Sequence, residues 1–143
     1  MTGWLLDTNV LSELRRSRPD PKVVAFIAGQ KLDDMFVSDV TFAEIRFGIA
    51  LVDNPTKRID LDDWLAHKLR PMFGRRTLAV TEDVILKWRL LVEDGRKSGY
   101  TFSQPDLFIA ATALHHDLTV VTRDDVEFRR TRCPVLNPWL ETP

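Results

Sequence analysis

The chain has 143 residues, a formal net charge of −1 and a hydrophobic fraction of 44%. This length and composition suit one soluble globular domain over residues 1–143, and no apolar run is long enough to cross a bilayer. We find no export signal, and the single cysteine, Cys133, excludes an intrachain disulfide, so we expect a cytoplasmic protein. Since a broad nucleic-acid-binding face is usually basic, contact with nucleic acid must use local clusters of arginine. Such clusters occur at Arg15, Arg16 and Arg18, at Arg75 and Arg76, and at Arg129, Arg130 and Arg132.

The first half of the chain alternates strand and helix patterns. In order, we predict a strand at 3–6, a helix from about Val10 to the segment 15–18, a helix that starts at Asp20-Pro21 and ends at Gly29, a strand at 35–38, a helix from Asp39 or Thr41 to Asn54-Pro55, and a helix from Asp60 that Pro71 breaks. Proline after a capping acid is typical of a helix start.

The second half continues this alternation. We predict a strand at 77–80, a helix capped by Thr81 with a buried stripe that includes Ile85, and a helix capped by Ser103 or Gln104 that ends at Asp117. We then predict a strand at 118–122, a short helix that includes Val126 and Phe128, and a candidate fifth, edge strand at 135–136. Such alternation indicates an α/β fold with a central, mostly parallel sheet of four to five strands flanked by helices. In that fold the helix N-termini lie at the carboxyl edge of the strands, where ligands bind.

Four acidic residues are predicted to lie at this edge. Asp7 ends the first strand, Glu44 lies near the start of the helix after strand two, and Asp124 follows strand four. Asp106 begins the helix that leads into strand four. Four carboxylates in one pocket repel unless they are protonated or a cation neutralises them. Oxygen ligands without cysteine or paired histidine favour Mg²⁺ or Mn²⁺, ions that serve phosphate chemistry.

Each acid also has a purely structural interpretation. Glu44 lies three residues after Thr41, which is the spacing of a capping box. Asp7 can cap a helix, Asp106 can favour a helix dipole, and Asp124 and Asp125 can be turn residues.

Four segments of the chain carry a family resemblance: LLDTNVLSEL at 5–14, VTFAEIRFG at 40–48, PDLFIAATA at 105–113 and TVVTRD at 119–124. In order and spacing they resemble the motifs of PIN-domain proteins of the VapC and FitB type. This resemblance implies a Rossmann-like PIN domain and the toxin of a bacterial type II toxin–antitoxin pair. It also implies an endoribonuclease that depends on Mg²⁺ or Mn²⁺.

The resemblance assigns roles to individual residues. The acidic metal-binding and catalytic positions are Asp7, Glu44, Asp106 and Asp124, and the supporting polar positions are Thr8, Asn9 and Thr122. After the fourth motif the family usually has aspartate before phenylalanine, whereas this chain has Glu127-Phe128. Asp124, Glu127 or both therefore complete the site; Asp124 is preferred because it lies nearer the strand end, and Asp125 is a lesser candidate.

The resemblance further implies a small VapB/FitA-like antitoxin that contacts operator DNA on behalf of the pair, an RNA substrate, a homodimer and no membrane association. The expected antitoxin surface is the helical layer of the first half, with Phe26, Phe47 or Trp64 exposed.

Other functions remain open at this point. A non-catalytic PIN-like binding module would not need the acids, and another metal-dependent nuclease or phosphoesterase would use them on a different substrate. An aspartyl-nucleophile phosphatase is disfavoured because Asn9 stands where its second aspartate would be. A dinucleotide site is disfavoured because no glycine-rich turn follows the first strand. The adjacent His115 and His116 do not share a helix face, which argues against zinc.

Overall fold

The protein is built on a five-stranded sheet in the order β3-β2-β1-β4-β5, and every neighbouring pair of strands is parallel. This computed structural model describes residues 3–141. The strands are β1 (Trp4–Leu6), β2 (Met35–Ser38), β3 (Thr77–Leu78), β4 (Thr119–Val121) and β5 (Val135–Leu136). The predicted α/β class and the edge position of β5 are thereby confirmed.

Helices connect the strands. They are α1 (Thr8–Arg15), α2 (Pro21–Ala28), α3 (Asp39–Ala50), α4 (Pro55–Trp64), α5 (Arg70–Phe73), α6 (Glu82–Lys97), α7 (Gln104–His116) and α8 (Asp125–Arg129). The predicted caps Asp20 and Thr81 accept hydrogen bonds from the backbone N–H groups of Lys22 and Val84. Over residues 3–141, no helix is long and apolar enough to cross a membrane.

The sheet buries side chains on both faces. Leu6 and Val121 point into a core formed with α1 to α5, whereas Leu5 and Val120 point into a second core formed with α6 to α8. This follows from the two-residue period of a strand, which sends successive side chains to opposite faces. Packing on both faces leaves the carboxyl ends of β1 and β4 as the accessible edge of the central sheet.

Two predicted helix boundaries are wrong. The helix expected from Asp60 begins at Pro55, because the side chain of Asn54 caps it through the N–H groups of Thr56 and Lys57. Pro71 does not end the helical path, which continues through a π-helical segment, Leu65–Leu69, into α5. The wider π turn makes room for a proline ring that would otherwise press on the carbonyl four residues earlier.

Smaller differences have local causes. Helix α1 begins at Thr8 rather than near Val10, because Asp7 accepts a hydrogen bond from the Thr8 N–H and caps it. Strand β3 has only two residues. Ile85, predicted to be buried, is 46% exposed, so the apolar face of α6 is narrower than expected.

Candidate metal centre

Asp7 lies at the centre of the carboxyl edge and is only 2% exposed. Its backbone N–H continues the β1–β4 ladder to the carbonyl of Val121. Its Oδ1 accepts a hydrogen bond of 2.8 Å from the N–H of Thr8, and Oδ2 accepts one of 2.8 Å from the hydroxyl of Thr122. Burial raises the pKa of Asp7 from 3.8 to about 6, although these two hydrogen bonds act against that rise. Asp7 therefore caps α1, and it is also a buried carboxyl group whose charged form is disfavoured by burial.

Asn9 and Thr122 hold Asp124 beside Asp7. The amide nitrogen of Asn9 lies 3.3 Å from Oδ2 of Asp124 and 3.4 Å from Oδ2 of Asp7. The hydroxyl oxygen of Thr122 accepts a hydrogen bond of 3.0 Å from the backbone N–H of Asp124. Since Asn9 belongs to the start of α1 and Thr122 to the end of β4, these contacts join two neighbouring strand ends.

Asp106 completes a group of three carboxylates. One side-chain oxygen from each of Asp7, Asp106 and Asp124 lies within 4.8 Å of the others. Burial is the main cause that raises the pKa of Asp106 to about 8, followed by the charge of Asp7 and a hydrogen bond with Glu127. Among residues 3–141, none of these three carboxylates forms an ion pair with a basic side chain. An unneutralised set of oxygen donors fits a hard divalent cation.

Glu44 lies next to this group but outside it. Its Oε1 accepts a hydrogen bond of 3.1 Å from the hydroxyl of Thr8, and its charge contributes to the raised pKa of Asp7. The capping-box interpretation is wrong, because Ser38 caps α3 by accepting from the N–H of Val40. Thr41 lies inside the helix, where its buried hydroxyl has no hydrogen-bond partner among residues 3–141.

The two lesser candidates have different environments. Oε1 of Glu127 accepts a hydrogen bond of 2.9 Å from the N–H of Ser103, so it ties α8 to the start of α7 beside Asp106. Asp125 accepts a hydrogen bond of 3.0 Å from the side chain of Asn137 and lies 3.6 Å from Arg129. Glu127 is thus in contact with the acidic group, whereas Asp125 anchors the C-terminal segment.

Sequence reasoning missed two features of this edge, the cap at Ser38 and the aromatic and basic side chains beside Asp124. Ser38 could have been found, because a serine before an acid at a strand end is a typical N-cap. Tyr100 is remote in sequence from all the acids and lies near them only through the fold, and nothing in the sequence indicated that Arg123, although next to Asp124, faces the same cavity.

Fold and site together define an α/β protein with a carboxylate cluster at the carboxyl edge of a parallel sheet. A model of the PIN domain matches residues 4–132. The chain therefore belongs to the PIN-domain family.

Two relatives match nearly the whole chain. It is 38% identical to toxin FitB of Neisseria gonorrhoeae over 135 residues, which cover 94% of this chain and 97% of that protein. It is 34% identical to VapC ribonuclease Y4jK of Sinorhizobium fredii over 135 residues, which cover 94% of this chain and 96% of that one.

Solved structures agree with this assignment. The fold matches the crystal structure of FitAcB from Neisseria gonorrhoeae with a TM-score of 0.92 and 38% identity, over 96% of this chain and 99% of that one. It also matches VapBC-5 from Mycobacterium tuberculosis, a member of the VapBC family of toxin–antitoxin systems, with a TM-score of 0.64 and 28% identity, over 90% of each chain.

Proposed function

We propose that this chain is the toxin of a type II toxin–antitoxin pair and that it hydrolyses RNA phosphodiester bonds with Mg²⁺ or Mn²⁺. The observation that carries this proposal is the group of three carboxylate oxygens within 4.8 Å of one another, with no basic side chain of residues 3–141 paired to them. The similarity to a toxin and to a VapC ribonuclease supports both parts of the proposal.

Asp7, Asp106 and Asp124 would hold the cation, and Glu44 would add negative charge from the Thr8 side. A hard cation bound there stabilises charge on phosphoryl oxygens and makes a water molecule more acidic. Burial and neighbouring charge raise the pKa of Asp7 to about 6 and that of Asp106 to about 8, so negative charge at these two positions is unfavourable in the metal-free protein. A bound cation would offset this cost.

The surrounding side chains orient the acids. Both oxygens of Asp7 are held by hydrogen bonds, from the Thr8 N–H and the Thr122 hydroxyl, and Asn9 holds Asp124. Such fixed geometry lowers the cost of aligning the substrate phosphate with an attacking water. The water oxygen forms the new bond to phosphorus, and a proton from that water passes to a carboxylate of the cluster. The bond to the leaving ribose oxygen breaks, and this oxygen takes up a proton from solvent to become a hydroxyl.

A cleavage assay with matched variants tests this function. Purified protein should cleave RNA with Mg²⁺ or Mn²⁺ and stop when a chelator is added, and Asp106→Asn should abolish cleavage. Asp117→Asn is the control, because Asp117 caps the other end of α7 and adopts a left-handed conformation, with φ of 56°, that asparagine tolerates. Asp106→Asn protein that cleaves as fast as Asp117→Asn would rule out the proposed role of the acid cluster. Wild-type protein that cleaves no RNA with either metal would instead favour a non-catalytic binding module.

We propose that the antitoxin packs on α3 and α4. Phe47 on α3 and Leu51, the residue that caps its C-terminus one turn later, are 66% and 65% exposed, and Ile59 on the adjacent α4 is 66% exposed. Of the side chains predicted for this surface, Phe26 is buried, so that prediction is wrong for Phe26, and Trp64 is half-buried. With a net charge of −1, this chain is poorly suited to hold operator DNA itself, a task we assign to the antitoxin.

Two further properties remain predictions. We place the protein in the cytoplasm, and the homodimer that the family resemblance implies is open to a sedimentation measurement.

A further inference from the structure

A cavity of about 380 Å³ lies beside the acid cluster, and its wall contains Asp124 and Glu127 together with Tyr100, Arg123 and Arg130. We propose that this cavity, the Tyr100 cavity, binds one nucleotide of single-stranded RNA next to the phosphate that is cleaved. The base packs on Tyr100 and Arg130, and a backbone phosphate contacts Arg123. This inference rests on the proposed ribonuclease function and names a substrate subsite for it.

Tyr100 and Arg130 form a stacked pair. The guanidinium carbon of Arg130 lies 4.2 Å from the centroid of the Tyr100 ring. The Tyr100 ring in turn packs edge-on against Phe102, with 4.7 Å between ring centroids and 75° between ring planes. Aromatic rings and guanidinium planes are the groups on which proteins stack the bases of single-stranded RNA.

The backbone holds Tyr100 in place before any ligand arrives. Its N–H donates a hydrogen bond of 2.8 Å to the carbonyl of Gly95 in the last turn of α6. A Cβ at Gly95 would lie 2.7 Å from Cε2 of Phe102 and 2.9 Å from the carbonyl oxygen of Tyr100, so only glycine lets the loop pack this closely. A preformed stacking surface binds with less loss of conformational entropy than a mobile one.

Arg123 is also held in place. Its backbone N–H donates to Oδ1 of Asn9, its carbonyl accepts from the side chain of Asn137, and its guanidinium carbon lies 5.3 Å from the ring centroid of Trp139. Arg123 directly precedes Asp124 in the chain. A phosphate at this arginine therefore belongs to a nucleotide next to the acid cluster.

Two arginines of the cavity wall have no acidic partner in the described part of the chain. Over residues 3–141, neither Arg123 nor Arg130 forms an ion pair, whereas their neighbour Arg129 pairs with Asp125 and Glu141. The wall also contains three acids, each held by other side chains or backbone: Asp124 contacts the amide of Asn9, Asp125 contacts Asn137 and Arg129, and Glu127 accepts from the Ser103 N–H. Two guanidinium groups are thus available to an incoming polyanion.

Binding without cleavage tests this subsite independently of catalysis. A short, fluorescently labelled single-stranded RNA of mixed sequence is titrated with each full-length variant in chelator, over a series of salt concentrations. Tyr100→Leu should weaken binding about tenfold with an unchanged salt dependence, because it removes stacking and no charge. Arg123→Gln should reduce the slope of log affinity against log salt by about 0.7, the value for one phosphate contact to a single strand. Arg129→Gln is the matched control and should leave both quantities unchanged.

Several results of this titration would overturn the nucleotide subsite. Wild-type affinity and salt slope in both Tyr100→Leu and Arg123→Gln would overturn the subsite, as would tighter binding of an RNA duplex, whose bases are not free to stack. Variants that lose antitoxin binding but keep RNA binding would instead assign the cavity to the protein partner.

Thermal melting identifies a misfolded variant. If Tyr100→Leu is unfolded, Tyr100→Trp replaces it and must retain wild-type RNA affinity. Cleavage that is lost in Asp106→Asn but normal in Tyr100→Leu and Arg123→Gln would leave the ribonuclease standing and remove only the subsite. A wild-type protein that cleaves no RNA yet binds it through Tyr100 and Arg123 would leave the subsite standing and remove the ribonuclease function.

Discussion

The hydroxyl of Thr122 donates a hydrogen bond of 2.8 Å to Oδ2 of Asp7, although the two residues lie 115 positions apart in the chain. The same hydroxyl oxygen accepts hydrogen bonds from the side chain of Asn9 and from the backbone N–H of Asp124. One buried hydroxyl thus links the ends of β1 and β4 and two members of the acid cluster.

Replacing this hydroxyl should weaken both fold and site. Thr122→Val keeps the shape of the side chain but leaves the N–H of Asp124 without its partner, so we expect a loss of about 1–3 kcal/mol in the free energy of unfolding. Binding of Mg²⁺, followed as the rise in melting temperature with added metal, should also weaken. Thr122→Ser retains the hydroxyl and should be close to wild type in both. A valine variant with wild-type stability would show that the hydrogen bonds contribute little.

The acid cluster should make the metal-free protein less stable as pH rises. Asp7 and Asp106 have pKa values raised from 3.8 to about 6 and about 8, so the folded state keeps protons that the unfolded state has already released. The unfolded state then binds fewer protons, and the free energy of unfolding falls with pH from about 4 until it levels off near 8. Urea unfolding in chelator at a series of pH values measures this fall.

The same experiment with variants identifies the groups responsible. Asp106→Asn should remove the upper part of the pH dependence, and added Mg²⁺ should stabilise the wild-type protein most at high pH, where the cluster is charged. Stability that rises between pH 5 and pH 8 in the metal-free protein would contradict the raised pKa values of these two acids.

Glu44→Gln should separate a charge from a hydrogen bond. Glutamine can still accept from the hydroxyl of Thr8, but it lacks the negative charge beside Asp7. We therefore expect a folded variant that is at least as heat-stable as wild type in chelator, with strongly reduced cleavage at moderate Mg²⁺ that recovers in part at high Mg²⁺. Because Glu44 lies outside the group of three, its loss should cost less activity than Asp106→Asn. An unchanged Mg²⁺ response would remove Glu44 from the site.

Thr41 offers a prediction on stability alone. Its hydroxyl is fully buried and has no partner in the described part of the chain, which is an unfavourable state for a polar group. Thr41→Val has the same shape without the hydroxyl and should raise the free energy of unfolding by about 1 kcal/mol. Denaturant unfolding in chelator checks this value, and a lower midpoint would indicate an undetected partner for the hydroxyl.

The proposed antitoxin surface is tested by a charge at its centre. Phe47→Asp should weaken binding of the co-expressed antitoxin about tenfold or more, because a buried carboxylate at a hydrophobic interface is costly. Cleavage by the isolated variant should be unchanged. Leu140→Asp, at a side chain that is 77% exposed near the C-terminus, is the control. Equal antitoxin affinity in the two variants would exclude this face of α3.

Local chemistry made much of this protein predictable from its sequence. The apolar runs of β1, β2 and β4, and the capped starts of α2 and α6 at Asp20 and Thr81, depend on contacts within a few residues. The topological rule that strand ends and helix starts meet at one edge predicted the neighbourhood of Asp7, Asp106 and Asp124, which the structure brings together.

Only the tertiary structure decided the rest, since it depends on distances between residues that are remote in sequence. A spacing of three residues suggested that Thr41 and Glu44 form a capping box, but the pairing of β2 ends at Ser38, which places Glu44 in the second turn of α3 beside Thr8. The sequence left Asp124 and Glu127 as alternatives for the last acidic position of the site. In the fold, the carboxylate of Glu127 reaches the start of α7 and accepts a hydrogen bond from the Ser103 N–H. Periodicity reports which side chains are apolar, whereas burial and charge depend on what packs opposite them. For that reason the raised pKa values of Asp7 and Asp106 and the cavity between Tyr100 and Arg123 arise only when the chain is folded.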